Sequence, residues 1–162
     1  MIEILVQSLE GSFINNWILS KAWIWPTLEI IHFIGLSLLL GAMLVIDLRL
    51  AGFLRNFNMQ VTHRLLPFAA IGFFLNLATG LLFFIGDPAR YSVNIGFQLK
   101  MLLVFIAGFN ALWFALKINP HLKSMDPYGD TSKSAKMPAY ISLIAWFGVL
   151  LLGRLIPYVG TG

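Results

Sequence analysis

Four stretches of this chain carry almost no polar positions, running roughly from Trp23 to Ile46, Leu65 to Gly86, Phe97 to Leu116 and Met137 to Tyr158. Each approaches the ~20 apolar residues that take a helix across bilayer hydrocarbon. Stop signals bound them: Pro26 near the first start, Gly86-Asp87-Pro88 after the second, Asn119-Pro120 after the third and Pro138 in the opening turn of the fourth. The pattern predicts helices over about 23–52, 63–86, 95–118 and 137–158. Ahead of them, Ile2, Leu5, Val6, Leu9, Phe13, Ile14, Trp17 and Ile18 recur at helical spacing while Glu3, Gln7 and Glu10 face elsewhere. That periodicity predicts an interfacial amphipathic helix over 1–22. It has Glu3 near its start and no basic residue before Lys21, unlike a cleavable signal peptide, and is expected to stay attached. The expected fold is an all-α membrane protein: a four-transmembrane-helix bundle over 23–162 with an N-terminal interfacial amphipathic helix.

Composition agrees, since 59% of residues are hydrophobic and 11% charged, with a mean hydropathy of +0.83. The chain has no cysteine, which removes disulfides, thiolate haem ligation and iron–sulfur clusters. Its net charge of +4 does not indicate nucleic-acid binding, because the basic residues lie at the ends of apolar segments. There they set orientation. Arg49, Arg55, Arg64, Lys117, Lys123, Lys133 and Lys136 fall on one side; Lys21, Arg90, Lys100 and Arg154 fall on the other. The richer side is expected to be cytoplasmic, which puts both termini and the loop from Asp87 to Gly96 on the periplasmic face of a bacterial inner membrane. The segment from Asn119 to Lys136 reads as a solvated loop.

Two residues contradict the apolar pattern. His32 lies six positions past Pro26, and Lys100 lies six past Asn94, so both sit ~9 Å inside the outer helix ends at ~1.5 Å per residue. An ionisable side chain at such a depth costs ~2.5–3.5 kcal/mol on insertion scales, and it calls for a partner or a purpose. Below Lys100, Ala107, Gly108, Ala111 and Ala115 leave little side-chain bulk on the third helix. Such a clearing either lets helices approach closely or leaves room for a flat macrocycle with imidazole and amine as opposed axial donors. Lysine coordinates only as the neutral amine, so the site must be dry enough to remove its proton.

Other polar residues fall around this pair. Glu29, one turn before His32, is placed to hold a proton, orient the ring or neutralise Lys100. Arg154 interrupts the last apolar helix and is a candidate for haem propionates, or an interfacial anchor beside Tyr158. His63 and His121 belong to the other side, where solvated histidines are expected rather than a second haem. Asp47 and Arg49 read as interfacial charges, with Arg64 or Asn76 as possible partners for them. Asn76 and Asn110 are expected to bond between helices.

The run from His32 to Gly35, the helix ending Asp47-Leu48-Arg49-Leu50, and the segment Phe97-Gln98-Leu99-Lys100-Met101-Leu102-Leu103 resemble the small membrane protoporphyrinogen oxidases of the HemJ type. A similar likeness reaches the membrane domain of copper-resistance D proteins and short bacterial membrane proteins with Trp25-x3-Glu29-x2-His32. The resemblance covers about Trp25 to Lys117. It implies a haem b whose iron is held by the first-helix His32 and the third-helix Lys100. The oxidase pattern also has a Trp and Gly partway along the first helix, and aromatic-His endings to helices one and three; this chain has Leu38 to Gly41, Asn110 and Trp113 instead. The expectations are therefore a membrane cytochrome b-like electron carrier serving a quinone or a periplasmic redox partner, or an oxidase using the same haem. A copper-uptake protein and a cofactor-free accessory subunit remain as further alternatives. Small-residue stripes on several helices also suit a homo-oligomer. Phosphate loops, nucleophile elbows and paired carboxylates within one segment are missing from the sequence.

Overall fold

The computed structural model describes residues 2–118 and 128–159. Its elements are α1 (Ile2–Leu9), α2 (Phe13–Leu19), α3 (Ile24–Ala51), α4 (Met59–Gly86), α5 (Pro88–Val93), α6 (Ile95–Trp113) and α7 (Lys133–Leu155). Helix α6 widens into a π-helical turn over Phe114–Ile118, and α7 tightens into a 3-10 turn over Ile156–Tyr158. Helices α3, α4, α6 and α7 are each long and apolar enough to cross a membrane. The expected all-α class and four spans are thus present.

Local chemistry sets the boundaries. Helix α3 ends because Gly52 takes a left-handed φ of 95°, and the Phe53 N–H then closes on the Leu48 carbonyl at 3.0 Å. Helix α4 starts earlier than its apolar run, since the Asn58 side chain caps the Gln60 N–H at 2.8 Å. The expected loop from Asp87 to Gly96 is largely helical: Asp87 caps α5 and Pro88 occupies its first turn. The single amphipathic helix expected over 1–22 is two helices. Gly11, with φ of 73°, breaks it, and the Ser12 hydroxyl restarts it by accepting from the Asn15 N–H.

Helix α3 packs against α4 and α7, and α6 packs against α7. Gly35 and Gly72 set the α3–α4 crossing: a Cβ on Gly72 would lie 2.5 Å from the Gly35 carbonyl oxygen and 2.5 Å from the Leu39 nitrogen. Only glycine permits that approach. Mid-bundle, Leu39, Ala42, Ala69, Ala107, Ala145, Trp146 and Val149 bury one another. Outward, Phe33, Phe74, Phe105, Phe109 and Ile144 are all more than half exposed. Apolar aromatic and branched side chains on the outside of an otherwise packed bundle describe a lipid-facing surface, and the chain is a multi-pass membrane protein.

The two ends differ. At one, Asn15 donates to the Ile85 carbonyl at 2.7 Å and docks α2 on the end of α4, while Asn94 donates to the Ile156 carbonyl at 2.9 Å. At the other, fully buried Arg49 donates to the carbonyls of Phe57 (2.6 Å) and Gly129 (3.2 Å), and Asp130 pairs with Arg55 and Lys136.

Candidate functional site

His32 stands in the N-terminal half of α3, half-buried against α4. Its Nδ1 lies 2.7 Å from the Thr79 hydroxyl oxygen, and its ring meets the Phe83 ring edge-on at 5.5 Å. Proton counting assigns the tautomer. Thr79 has one hydroxyl proton, and that proton goes to the Leu75 carbonyl one turn back at 2.7 Å. The hydroxyl can therefore only accept from the ring, so Nδ1 carries the proton and Nε2 presents a lone pair. Buried metal-binding histidines use this arrangement, with the ring held through one nitrogen and the other left to coordinate.

Lys100 reaches this region from α6. Among the described residues no hydrogen bond or ion pair joins its amine to the His32 ring, which is held by Thr79 instead. The aliphatic stem and amine lie along the backbone of α7: Nζ is 3.4 Å, and Cε 3.8 Å, from where a Cβ on Gly153 would sit. Among the described residues the Lys100 amine forms no ion pair, because both salt bridges go to Asp130. Glu29, the expected neutraliser, is exposed and instead accepts a hydrogen bond from Trp25 Nε1 at 3.1 Å. Stacked Phe84 and Phe97, with centroids 5.7 Å apart, join α4 to α6 on the outer side of Lys100.

Arg154 is exposed, with its guanidinium 5.5 Å from the centre of the Tyr158 ring. That is the anchor geometry rather than one converging on His32. The small-residue face of α6 also departs from expectation: Ala107 is buried in the mid-bundle core, but Gly108, Ala111 and Ala115 are exposed. Their smallness does not clear a space between helices. Asn110 bonds between helices as expected, donating to the Pro138 carbonyl at 2.9 Å, whereas Asn76 donates within its own helix to the Gly72 carbonyl at 2.8 Å. His63 is half-buried near the start of α4, and His121 lies outside the described residues. Asp47 is not an interfacial charge: it is 3% exposed, Arg64 is exposed, and the polar group facing its carboxyl is the buried hydroxyl of Ser142. Among the described residues no three His, Asp or Glu side chains gather as a metal-binding group.

Thr79 and Gly153 are the neighbours of His32 and Lys100 that sequence reasoning passes over. Thr79 follows His32 by 47 positions, and only the close Gly35–Gly72 crossing sets the two at hydrogen-bond distance. The signal available in sequence was Gly72 and Thr79 lying seven residues apart on one helical face.

The fold defines an all-α, four-span integral membrane protein, with His32 on α3 and Lys100 on α6 within its spans. No family model, curated protein or solved structure matches the chain.

Proposed function

We propose that this protein binds haem b in the outer half of a bacterial inner membrane and carries electrons, and that His32 Nε2 and Lys100 Nζ would hold the group. One observation carries the reading: within the membrane-spanning helices, an imidazole held by Thr79 with its Nε2 lone pair available lies at a similar depth, by helix rise, to a lysine amine that has no ion pair among the described residues. An uncompensated pair of nitrogen donors at this depth is costly unless something binds between them. The donor set fits haem iron, which accepts neutral nitrogen ligands and supplies one-electron redox chemistry when bound.

The chain's own residues do the rest. Thr79 holds the imidazole plane and keeps the proton on Nδ1. Phe83 meets the imidazole edge-on, and Phe84 stacked on Phe97 adds apolar bulk between α4 and α6. Glu29, turned to Trp25, leaves the amine uncompensated. Electrons come from the quinone pool or pass to a periplasmic partner, and both termini face the periplasm.

The test is a visible spectrum of protein purified in mild detergent, oxidised and then reduced. A Soret band that shifts on reduction, and is lost in both His32→Ala and Lys100→Ala, supports the proposal. Protein supplied with haem that shows no such band overturns it. Turnover of protoporphyrinogen by the same preparation would transfer the site from electron carriage to oxidation of that substrate.

A further inference from the structure

A groove of about 230 Å³ opens between α3 and α7 in the other half of the bundle, lined by Leu40, Met43, Leu44, Trp146, Phe147 and, at its inner end, Asp47. Its walls are otherwise apolar. Gly41 also borders it, and the space a Cβ on Gly41 would occupy has nothing within 4 Å. Leu44 and Phe147, at its mouth, are 39% and 53% exposed on the lipid-facing surface, so the groove is reached from the bilayer.

Asp47 makes this more than a gap between helices. The residue is 97% buried, and its Oδ2 is fully buried with no hydrogen-bond partner. A carboxyl oxygen left without a donor in apolar surroundings costs on the order of 1–3 kcal/mol or more. The buried Ser142 hydroxyl faces the carboxyl, and it offers a single proton. An occupant that is otherwise apolar, enters from lipid and places a hydroxyl or similar group at the end of the groove would satisfy this oxygen.

We propose that this groove is the binding site for the headgroup of a membrane-soluble hydroquinone, with one ring hydroxyl donating to Asp47 Oδ2 and the ring lying against Trp146 and Phe147. Size supports a headgroup: drug-sized ligands occupy roughly 300–1,000 Å³, so the groove takes a single substituted ring and leaves the isoprenoid chain in lipid. Gly41, without a side chain, gives a flat ring a bare stretch of backbone to lie on. Chemistry also favours this occupant over an acyl chain, which brings no donor and would leave the carboxyl unsatisfied. The inference deepens the proposed function by locating its electron donor, and rests on that reading for the purpose of the site. Binding itself needs no haem.

The experiment is equilibrium binding of a decyl-substituted benzoquinol to haem-free protein in nanodiscs, with decylamine and decanol as competitors. Wild type is expected to bind it saturably. Gly41→Leu, whose Cβ enters open space at the groove, should weaken binding about tenfold or more, and so should Asp47→Leu, by removing the acceptor. Asp47→Leu also removes a buried polar group, so Leu44→Trp at the lipid-exposed mouth serves as a second blocking variant. Unchanged affinity in Gly41→Leu and Leu44→Trp overturns the proposal. Equal displacement by decanol assigns the groove to alkyl chains, and tighter binding of decylamine assigns it to cations; either result also overturns it. Loss of the Soret band with intact quinol binding, or the reverse, separates failure of the haem reading from failure of this one.

Discussion

His32 Nδ1 and the Thr79 hydroxyl oxygen are 2.7 Å apart, and because Thr79 already donates to the Leu75 carbonyl, the ring is the donor between them. One hydroxyl on α4 therefore decides which nitrogen of a histidine on α3 is available. Thr79→Val keeps the shape and removes the acceptor, so the ring can rotate and change tautomer. Haem affinity, measured by titrating the purified apo-protein, is expected to fall about ten- to a hundredfold, the usual effect of removing such a supporting contact. Thr79→Ser should restore most of it. Equal affinity in the valine variant would show that Thr79 does not orient the ligand.

Gly153 plays the matching part for Lys100. The amine lies 3.4 Å from the position of a Cβ there, so Ala is accommodated at contact distance whereas the branched side chain of Val occupies the place of the amine. Gly153→Val is expected to displace Lys100 and turn a six-coordinate reduced spectrum into a five-coordinate one, with His32 retained. Gly153→Ala should leave the spectrum unchanged. An unaltered spectrum in the valine variant would mean that Lys100 does not lie along α7 when it binds.

Packing at the α3–α4 crossing gives a prediction independent of any cofactor. Gly72→Ala puts a methyl group 2.5 Å from backbone atoms of α3, which side-chain rotation cannot relieve, and is expected to cost about 1–3 kcal/mol. Gly80→Ala on the same helix meets nothing within 4 Å and should stay within about 0.5 kcal/mol of wild type. Denaturant unfolding in detergent reads both. Since Thr79 reaches His32 only because this crossing is close, Gly72→Ala is also expected to weaken haem binding, and Gly80→Ala is not.

These particulars show what the sequence makes legible. The four spans, and the similar depth of His32 and Lys100, follow from hydropathy, because helix rise is constant and polar residues in lipid are conspicuous. The Glu29 alternative fails for a reason that spacing cannot supply: Trp25, four residues earlier, captures the carboxylate. Ala111 and Ala115 mislead in the same way, since a small side chain looks alike whether it faces lipid or a neighbouring helix. Asp47 is the instructive miss. Its position near a helix end and two residues from Arg49 suggests an interfacial charge, yet α7 packs Ser142 and Trp146 over it. The break at Gly11 is readable afterwards from Gly-Ser before an apolar run, but the continuous periodicity on either side conceals it.

Asp130 gives a pH dependence. The Lys136 ammonium that donates to it at 2.9 Å, helped by Arg55, holds this exposed carboxyl below the usual carboxylate range. A carboxyl depressed in the folded state stabilises above its unfolded value of ~3.9, and that contribution disappears as pH falls through the folded value. Asp130→Asn should therefore melt slightly below wild type at neutral pH and together with it once both are in strong acid. Because the group is exposed, the neutral-pH difference should be small and should shrink in high salt. A difference that persists in acid would mean that the Asp130 side chain acts by hydrogen bonding rather than by charge.

The two ends of the bundle make the orientation testable. Asn15 bound to the Ile85 and Gly86 carbonyls, and Asn94 bound to the Ile156 carbonyl, gather α2, α5 and the end of α7 at one end. Arg49, Arg55 and Lys136 gather at the other. Basic residues are retained on the cytoplasmic side, so the proposed orientation has the first end outside. The chain has no cysteine, so single substitutions report without background. In intact bacterial cells, Ser8→Cys and Arg90→Cys are expected to react with a membrane-impermeant maleimide, while Arg55→Cys and Lys133→Cys should react only after the membrane is opened. All four sites are exposed, which removes burial as a cause of silence. The reverse pattern would invert the bundle, moving the His32–Lys100 layer to the cytoplasmic half and the Asp47 groove to the periplasmic half.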